Sequence, residues 1–173
     1  MGHSSPRVNN MAEDVSSRVE SAFEKVCSRF NIEKLNKLQE EAMRCIVVDG
    51  RDVFVNLPTG FGKSLIFQGL PELFSSLKPE LEKNIVIVVL PLISLMRDQV
   101  SRLTSLGVKS ICLSEVSSEA VRKDVERGLY SIVYGSPESW LGDQRWRKMI
   151  SGETYRTSVR TVAIDEAHII SHW

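Results

Sequence analysis

The run Asn84-Ile-Val-Ile-Val-Val-Leu90 constrains this chain more than any other feature. Its β-branched residues follow one another without polar alternation. A strand with one face in water alternates, so this one must be covered on both faces, as in a parallel sheet sandwiched by helices. The surrounding pattern agrees. Residues 12–29 place Val15, Val19, Ala22, Phe23 and Val26 at spacings of three and four, the stripe of an amphipathic helix. A second helix is expected over 37–48, ended by the turn pair Asp49-Gly50. Asp52-Val-Phe-Val-Asn56 reads as a short buried strand, and residues 63–77 as one helix closed by Lys78-Pro79. The order then repeats: helix 93–106, strand 108–113, helix 117–128, strand 130–134, helices over 138–150, a loop at Gly152–Ser158, and strand 159–164. Strands alternating with helices in this way specify an α/β domain with a parallel sheet and right-handed crossovers.

The 173 residues suffice for a single well-buried core. The 22 Lys and Arg balance the 22 Asp and Glu, so no global basic field advertises a nucleic-acid partner and any such surface is confined to one face. Cys27, Cys45 and Cys112 are too far apart for a zinc cluster and read as buried thiols of a reducing compartment. No apolar run reaches the length that crosses a bilayer, and the first residues lack the pattern of a secretory signal. We expect a disordered leader over 1–11 and a folded domain over 12–173. An intracellular location is expected, in the nucleus if the source is eukaryotic and otherwise in the cytoplasm.

Two motifs carry chemistry. Leu57-Pro-Thr-Gly-Phe-Gly-Lys-Ser64 follows an expected strand and opens an expected helix, the context of a phosphate-binding loop. Gly60 and Gly62 free the backbone to turn its N–H groups toward a phosphate, flanked by Thr59 and Phe61, and the helix dipole favours the anion. Lys63 would reach the outer phosphate oxygens and the Ser64 hydroxyl would bind Mg²⁺. Asp165-Glu-Ala-His168 ends the apolar strand from Val159, where open α/β sheets bind ligands. Asp165 would hold Mg²⁺ and Glu166 would deprotonate the attacking water. Alone, the first motif is also compatible with an ordinary strand-to-helix turn and the second with a solvated acidic turn. Together, in this order, they indicate an ATP- and Mg²⁺-dependent NTPase. Arg145-Trp-Arg-Lys148 resembles a basic-aromatic patch, but we read it as a helix with Trp146 partly buried and its charges solvated.

Asp165-Glu-Ala-His168 with Ile169-Ile-Ser-His-Trp173 resembles the RecQ-like DNA helicases of superfamily 2. Leu57 fits that group's form of the phosphate loop. Val89-Leu-Pro-Leu-Ile-Ser-Leu-Met-Arg-Asp-Gln-Val100 is similar to its motif Ia, and Tyr134-Gly-Ser-Pro-Glu138 to its motif Ib. Phe30 through Gln39 resembles the segment that holds adenine. The resemblance runs from about residue 23 to 173. It implies a RecA-like P-loop NTPase lobe in which Gln39 reads the adenine edge and His168 couples nucleotide to DNA. Ser94 and Arg97, with Ser136 and Pro137, would lie along single-stranded DNA. The implied activity is ATP-dependent 3′-to-5′ unwinding of DNA bearing a 3′ tail.

Where these helicases carry an aromatic and an Arg around adenine, this chain has Ile32 and Asn36. Weaker ATP binding and looser base selectivity are therefore expected. The resemblance also implies a second RecA-like lobe with an arginine finger, which is not in this sequence. The lobe is expected to be truncated after the Walker B strand, and the chain to bind nucleotide weakly, hydrolyse it barely and unwind nothing. Two alternatives stay open: a superfamily 2 ATPase acting on RNA or chromatin, and a non-catalytic nucleic-acid-binding module.

Overall fold

The computed structural model describes residues 6–58 and 60–166, with side chains from Val15 onward. Its centre is a parallel sheet of four strands, β1 (Ile85–Val89), β2 (Ser110–Cys112), β3 (Ile132–Gly135) and β4 (Val159–Ile164), in the order β2-β3-β1-β4. β1 pairs with β3 on one side and β4 on the other, with Val88 opposite both Tyr134 and Ala163. Its unbroken apolar run has the expected cause, because successive residues feed different cores. Val86, Val88 and Leu90 pack into one cluster with Ile132 and Tyr134, while Ile85 and Ile87 pack into a second with Val133.

The first core is closed by α1 (Pro6–Phe30), α2 (Lys37–Val47), α3 (Lys63–Gln68), α4 (Leu70–Leu77) and α5 (Ile93–Ser105). Within the α1 stripe, Val19, Ala22, Phe23 and Val26 are buried and Val15 is exposed. The helix starts at Pro6, inside the stretch expected to be a leader, and proline is tolerated in a first turn. The second core is closed by α6 (Glu119–Glu126), α7 (Pro137–Gly142), α8 (Gln144–Ser151) and α9 (Glu153–Ser158), with Trp140, Trp146, Met149 and Tyr155 at its centre.

Three elements differ from expectation. Residues 52–56 form no strand. They lie off the sheet, where an apolar run has β propensity but no neighbouring strand to ladder with; Phe54 is 87% exposed, and only Val55 and Leu57 pack on the first core. The helix expected over 63–77 is divided into α3 and α4 at Gly69-Leu70-Pro71. Pro71 has no N–H to continue the ladder, and a Cβ at Gly69 would come within 2.6 Å of Met43 Cε and 2.9 Å of Val26 Cγ1. The loop expected at 152–158 is instead the short helix α9. Tyr155 anchors it, buried and donating its hydroxyl to the Val125 carbonyl at 2.8 Å.

Candidate nucleotide-binding site

The Gly-rich segment ends as α3 begins. Gly60 and Gly62 hold φ of +89° and +73°, left-handed values that side chains resist. Gly62 takes the N-cap position of α3 without any side-chain cap, so no side chain covers its first N–H groups, although the Leu65 N–H already donates to the Gly62 carbonyl at 3.1 Å. Lys63 and Ser64 open the helix half-buried, followed by the fully buried Leu65-Ile-Phe-Gln68.

Gln39 supports this loop from α2. Its Nε2 donates to the carbonyls of Gly62 (3.0 Å) and Phe61 (3.4 Å), and its Oε1 accepts from the Asn36 N–H at 2.9 Å. The Asn36 side chain accepts in turn from the Gln39 N–H at 2.9 Å, completing a capping box at the start of α2. Asn36 Nδ2 also reaches the Phe61 carbonyl at 3.5 Å. The residue that departs from the helicase pattern is thus the N-cap of α2. Gln39 is already engaged, so an adenine would exchange with bonds that hold the loop. Ile32 lies half-buried against the first core.

The acidic residues continue the sheet. The Asp165 N–H donates to Val89 O at 3.0 Å, which extends the β1–β4 ladder by one residue, and Asp165 Oδ1 accepts from the Glu166 N–H at 3.0 Å. Glu166 has φ of +56°, a left-handed conformation that is costly for a non-glycine residue outside a constrained site. Both carboxylates are half-buried. Thr59 and His168, expected members of this site, lie outside the described residues.

A buried bond ties the helix after the loop to the sheet. Gln68, at the end of α3, donates from Nε2 to the Tyr134 hydroxyl at 3.1 Å. Burial pushes the Tyr134 hydroxyl above the usual tyrosine range; the Gln68 bond opposes that shift and the Asp165 charge adds to it. Neither Gln68 nor Tyr134 was among the expected site residues. The signal for Gln68 is a lone amide within the apolar run Leu65 to Leu70, all of it buried.

The expected nucleic-acid residues are divided. Ser94 is exposed on the first turn of α5. Arg97 is also on α5, paired there with Glu115, so a phosphate would have to compete for its guanidinium. Ser136 is buried and caps α7, accepting from the Ser139 N–H at 3.2 Å, with Pro137 in the first turn. The basic-aromatic segment is structural. Trp146 is buried, and Arg145 makes paired bonds of 2.8 Å to Glu119 and a further bond of 2.6 Å to Glu126. Those bonds, to Glu119 first, raise the Arg145 pKa.

A magnesium nucleotide fits the groups present. The uncapped first turn and the glycine turn offer N–H donors to phosphate, and a Cβ at Gly60 would meet nothing within 4 Å. Ser64 and Asp165 carry hard oxygen atoms of the kind Mg²⁺ accepts. Mg²⁺ usually takes only one or two carboxylates and completes its shell with phosphate and water. No cluster of His, Cys, Asp and Glu suited to a metal occurs among the described residues. All three cysteines are free thiols; Cys112 is buried, and Cys27 and Cys45 are half-buried.

Residues 36–173 match the DEAD/DEAH box helicase family. The chain is 31% identical over 151 residues to the ATP-dependent DNA helicase hus2/rqh1 of Schizosaccharomyces pombe, covering 84% of this chain and 11% of that protein. It is 36% identical over 130 residues to the ATP-dependent helicase SGS1 of Saccharomyces cerevisiae, covering 73% and 9%. With the bifunctional 3′-5′ exonuclease/ATP-dependent helicase WRN of Mus musculus it shares 32% identity over 144 residues, covering 83% and 10%. The chain therefore spans about a tenth of the length of these relatives.

Proposed function

The chain belongs to the DEAD/DEAH box helicase family and resembles RecQ-like DNA helicases over most of its length, and from that premise we propose that it is the ATP-binding motor lobe of a DNA-unwinding enzyme. One observation supports the reading above the rest. The glycine turn at Gly60 and Gly62 opens directly into α3 with Lys63 and Ser64 in its first turn, and Asp165 and Glu166 follow the carboxyl end of β4 in the same sheet that α3 reaches through the Gln68–Tyr134 bond.

Bound Mg·ATP supplies the phosphoanhydride whose hydrolysis drives movement. Lys63 sets a cation against the phosphate oxygens, while Ser64 and Asp165 hold the metal. Glu166 orients water and accepts its proton. Gln39 serves the adenine side, and Thr59 and His168 belong to the same site. The absence of a flat cationic clamp at Ile32 and Asn36 weakens binding and relaxes the preference for adenine, since stacking and cation–π contributions of roughly 1 kcal/mol each are lost. Ser94 and Arg97, once Arg97 leaves Glu115, lie along single-stranded DNA together with the surface around Pro137 where the buried Ser136 caps α7, and the full protein unwinds from a 3′ tail. Unwinding requires a second lobe to close on the first, and its arginine finger contributes several powers of ten to turnover. This chain alone is expected to bind Mg·ATP and DNA, to turn over slowly and not to unwind.

The test is ATP turnover by this chain with and without single-stranded DNA, beside Lys63→Ala. Slow turnover lost in the variant supports the reading. Turnover unchanged by Lys63→Ala would contradict it. The base preference is read separately by comparing ATP with GTP affinity. A strong ATP preference at low micromolar Kd would refute the weakened clamp.

A further inference from the structure

We propose that Gln68 is a positioning residue through which nucleotide binding and single-stranded DNA binding strengthen each other. The inference rests on the functional reading above and adds the physical link between its two sites. Gln68 is 2% exposed, in a helix stretch where an apolar side chain would pack without polar cost. Both polar atoms of its amide are instead engaged, by two different elements. Nε2 donates to Gln99 Oε1 on α5 at 3.1 Å and to the Tyr134 hydroxyl on β3 at 3.1 Å; Oε1 accepts from Arg102 Nη1 on α5 at 3.5 Å.

The placement of these partners gives the amide its meaning. Ser64, the expected metal ligand, lies at the other end of the six-residue helix that Gln68 terminates. α5 carries Ser94 and Arg97 ahead of Gln99 and Arg102. Tyr134 lies two residues before Ser136, on the strand flanked by β1 and β2. The amide thus joins the phosphate-loop helix to α5, expected to lie along DNA, and to the buried strand β3 that leads to Ser136. Apolar contacts between α3 and its neighbours can slide by fractions of an ångström at little cost. The buried bond to Tyr134 resists such sliding because a displaced hydroxyl is left unpaired, and the bonds to the half-buried Gln99 and the exposed Arg102 add to it. A shift of α3 as Ser64 engages a metal is therefore carried into α5 and β3. By reciprocity, DNA holding α5 and β3 presets α3.

A buried amide with a purely structural role predicts lost stability and nothing else, so the test separates the two. ATP affinity of this chain would be measured with and without saturating oligothymidylate, for wild type, Tyr134→Phe, Gln68→Met and the double variant. Gln68→Met leaves the buried Tyr134 hydroxyl unpaired and Tyr134→Phe removes one bond of the amide. The double change removes both sides of that buried bond, while the half-buried Gln99 and exposed Arg102 turn to water, so stability recovers. In wild type, DNA is expected to tighten ATP by about tenfold, within the usual range of coupling. The double variant is expected to melt near wild type and to bind each ligand alone within about twofold, with the linkage reduced to about one. Tyr134→Phe, the mildest change, loses part of it. Undiminished linkage in Tyr134→Phe or in the double variant overturns the proposal, as does independent binding of ATP and DNA by wild type. Absence of any ATP binding by wild type refutes the functional reading itself, and this inference with it.

Discussion

At the scale of single residues, Gly62 is held by two independent constraints. Its φ of +73° disfavours any side chain, and an added Cβ would lie 2.5 Å from the Gln39 Nε2 that binds its carbonyl. Gly62→Ala is expected to cost at least about 1 kcal/mol from the left-handed backbone alone. It should also displace the amide that steadies the loop. Urea denaturation with and without Mg·ATP measures both effects, and an unchanged midpoint with normal ATP binding would contradict this assignment. The tyrosines give a pH signature. Burial raises the pKa of Tyr134 and Tyr155 in the folded chain, and both ionise near pH 10 when unfolded. Above that pH the unfolded state binds fewer protons, so their contribution, complete below it, is lost as pH rises. Tyr155→Phe is expected to cost about 1 kcal/mol at neutral pH through the lost bond to Val125 O. It should also flatten the alkaline fall in stability; an alkaline limb identical to wild type would remove Tyr155 from the account. Legibility was uneven here. Gly60, Gly62, Lys63 and Ser64 declare themselves by type and spacing. The second use of Asn36 and Gln39 was also present, as a cap residue followed three positions later by Gln, yet the adenine reading overshadowed it. Gln68 could not be assigned from sequence, because its partners at 99, 102 and 134 come together only in the fold.

At the scale of elements, sequence was most informative where burial alone decides. The run over β1 and the stripe of α1 became the elements they suggested, since no other arrangement covers their apolar faces. It was least informative where a neighbour decides. The break between α3 and α4 follows from Pro71, which sequence shows, while the need for glycine at 69 comes from its close approach to Met43 and Val26 on other helices, which sequence does not. Residues 52–56 have the composition of a strand, but strand formation needs a pairing partner as well as propensity. α9 exists because Tyr155 finds the Val125 carbonyl across thirty residues of chain. Arg145 shows the same dependence: the helix with an inward Trp146 is as expected, but its charge, expected to be solvated, is taken up by carboxylates on α6. Arg145→Ala is expected to lower the melting temperature slightly, by an amount that shrinks with added salt, and to leave affinity for single-stranded DNA unchanged. Markedly weaker DNA binding would reinstate the patch.

At the scale of the whole molecule, the two-faced sheet has one consequence for chemistry. It sets Asp165 at the rim formed by the carboxyl ends of β1 and β4, and α3, about a hundred residues earlier in sequence, reaches the same sheet through the Gln68–Tyr134 bond. On that rim β4 pairs with β1 alone among the described residues, and Val162 and Ile164 are more than half exposed. The α/β architecture was legible because the order of strand and helix signals admits few topologies. The number of strands was not, because residues 52–56 have the composition of a strand but no pairing partner among the described residues. The central claim, that this rim binds a magnesium nucleotide, is tested most directly by titrating ATP into the chain by calorimetry. The titrations would be run with Mg²⁺ and with EDTA, for wild type, Lys63→Ala and Asp165→Asn. The account predicts Mg²⁺-dependent binding that Lys63→Ala abolishes and Asp165→Asn weakens by at least about tenfold. Binding that is indifferent to Mg²⁺ and to both substitutions would contradict it.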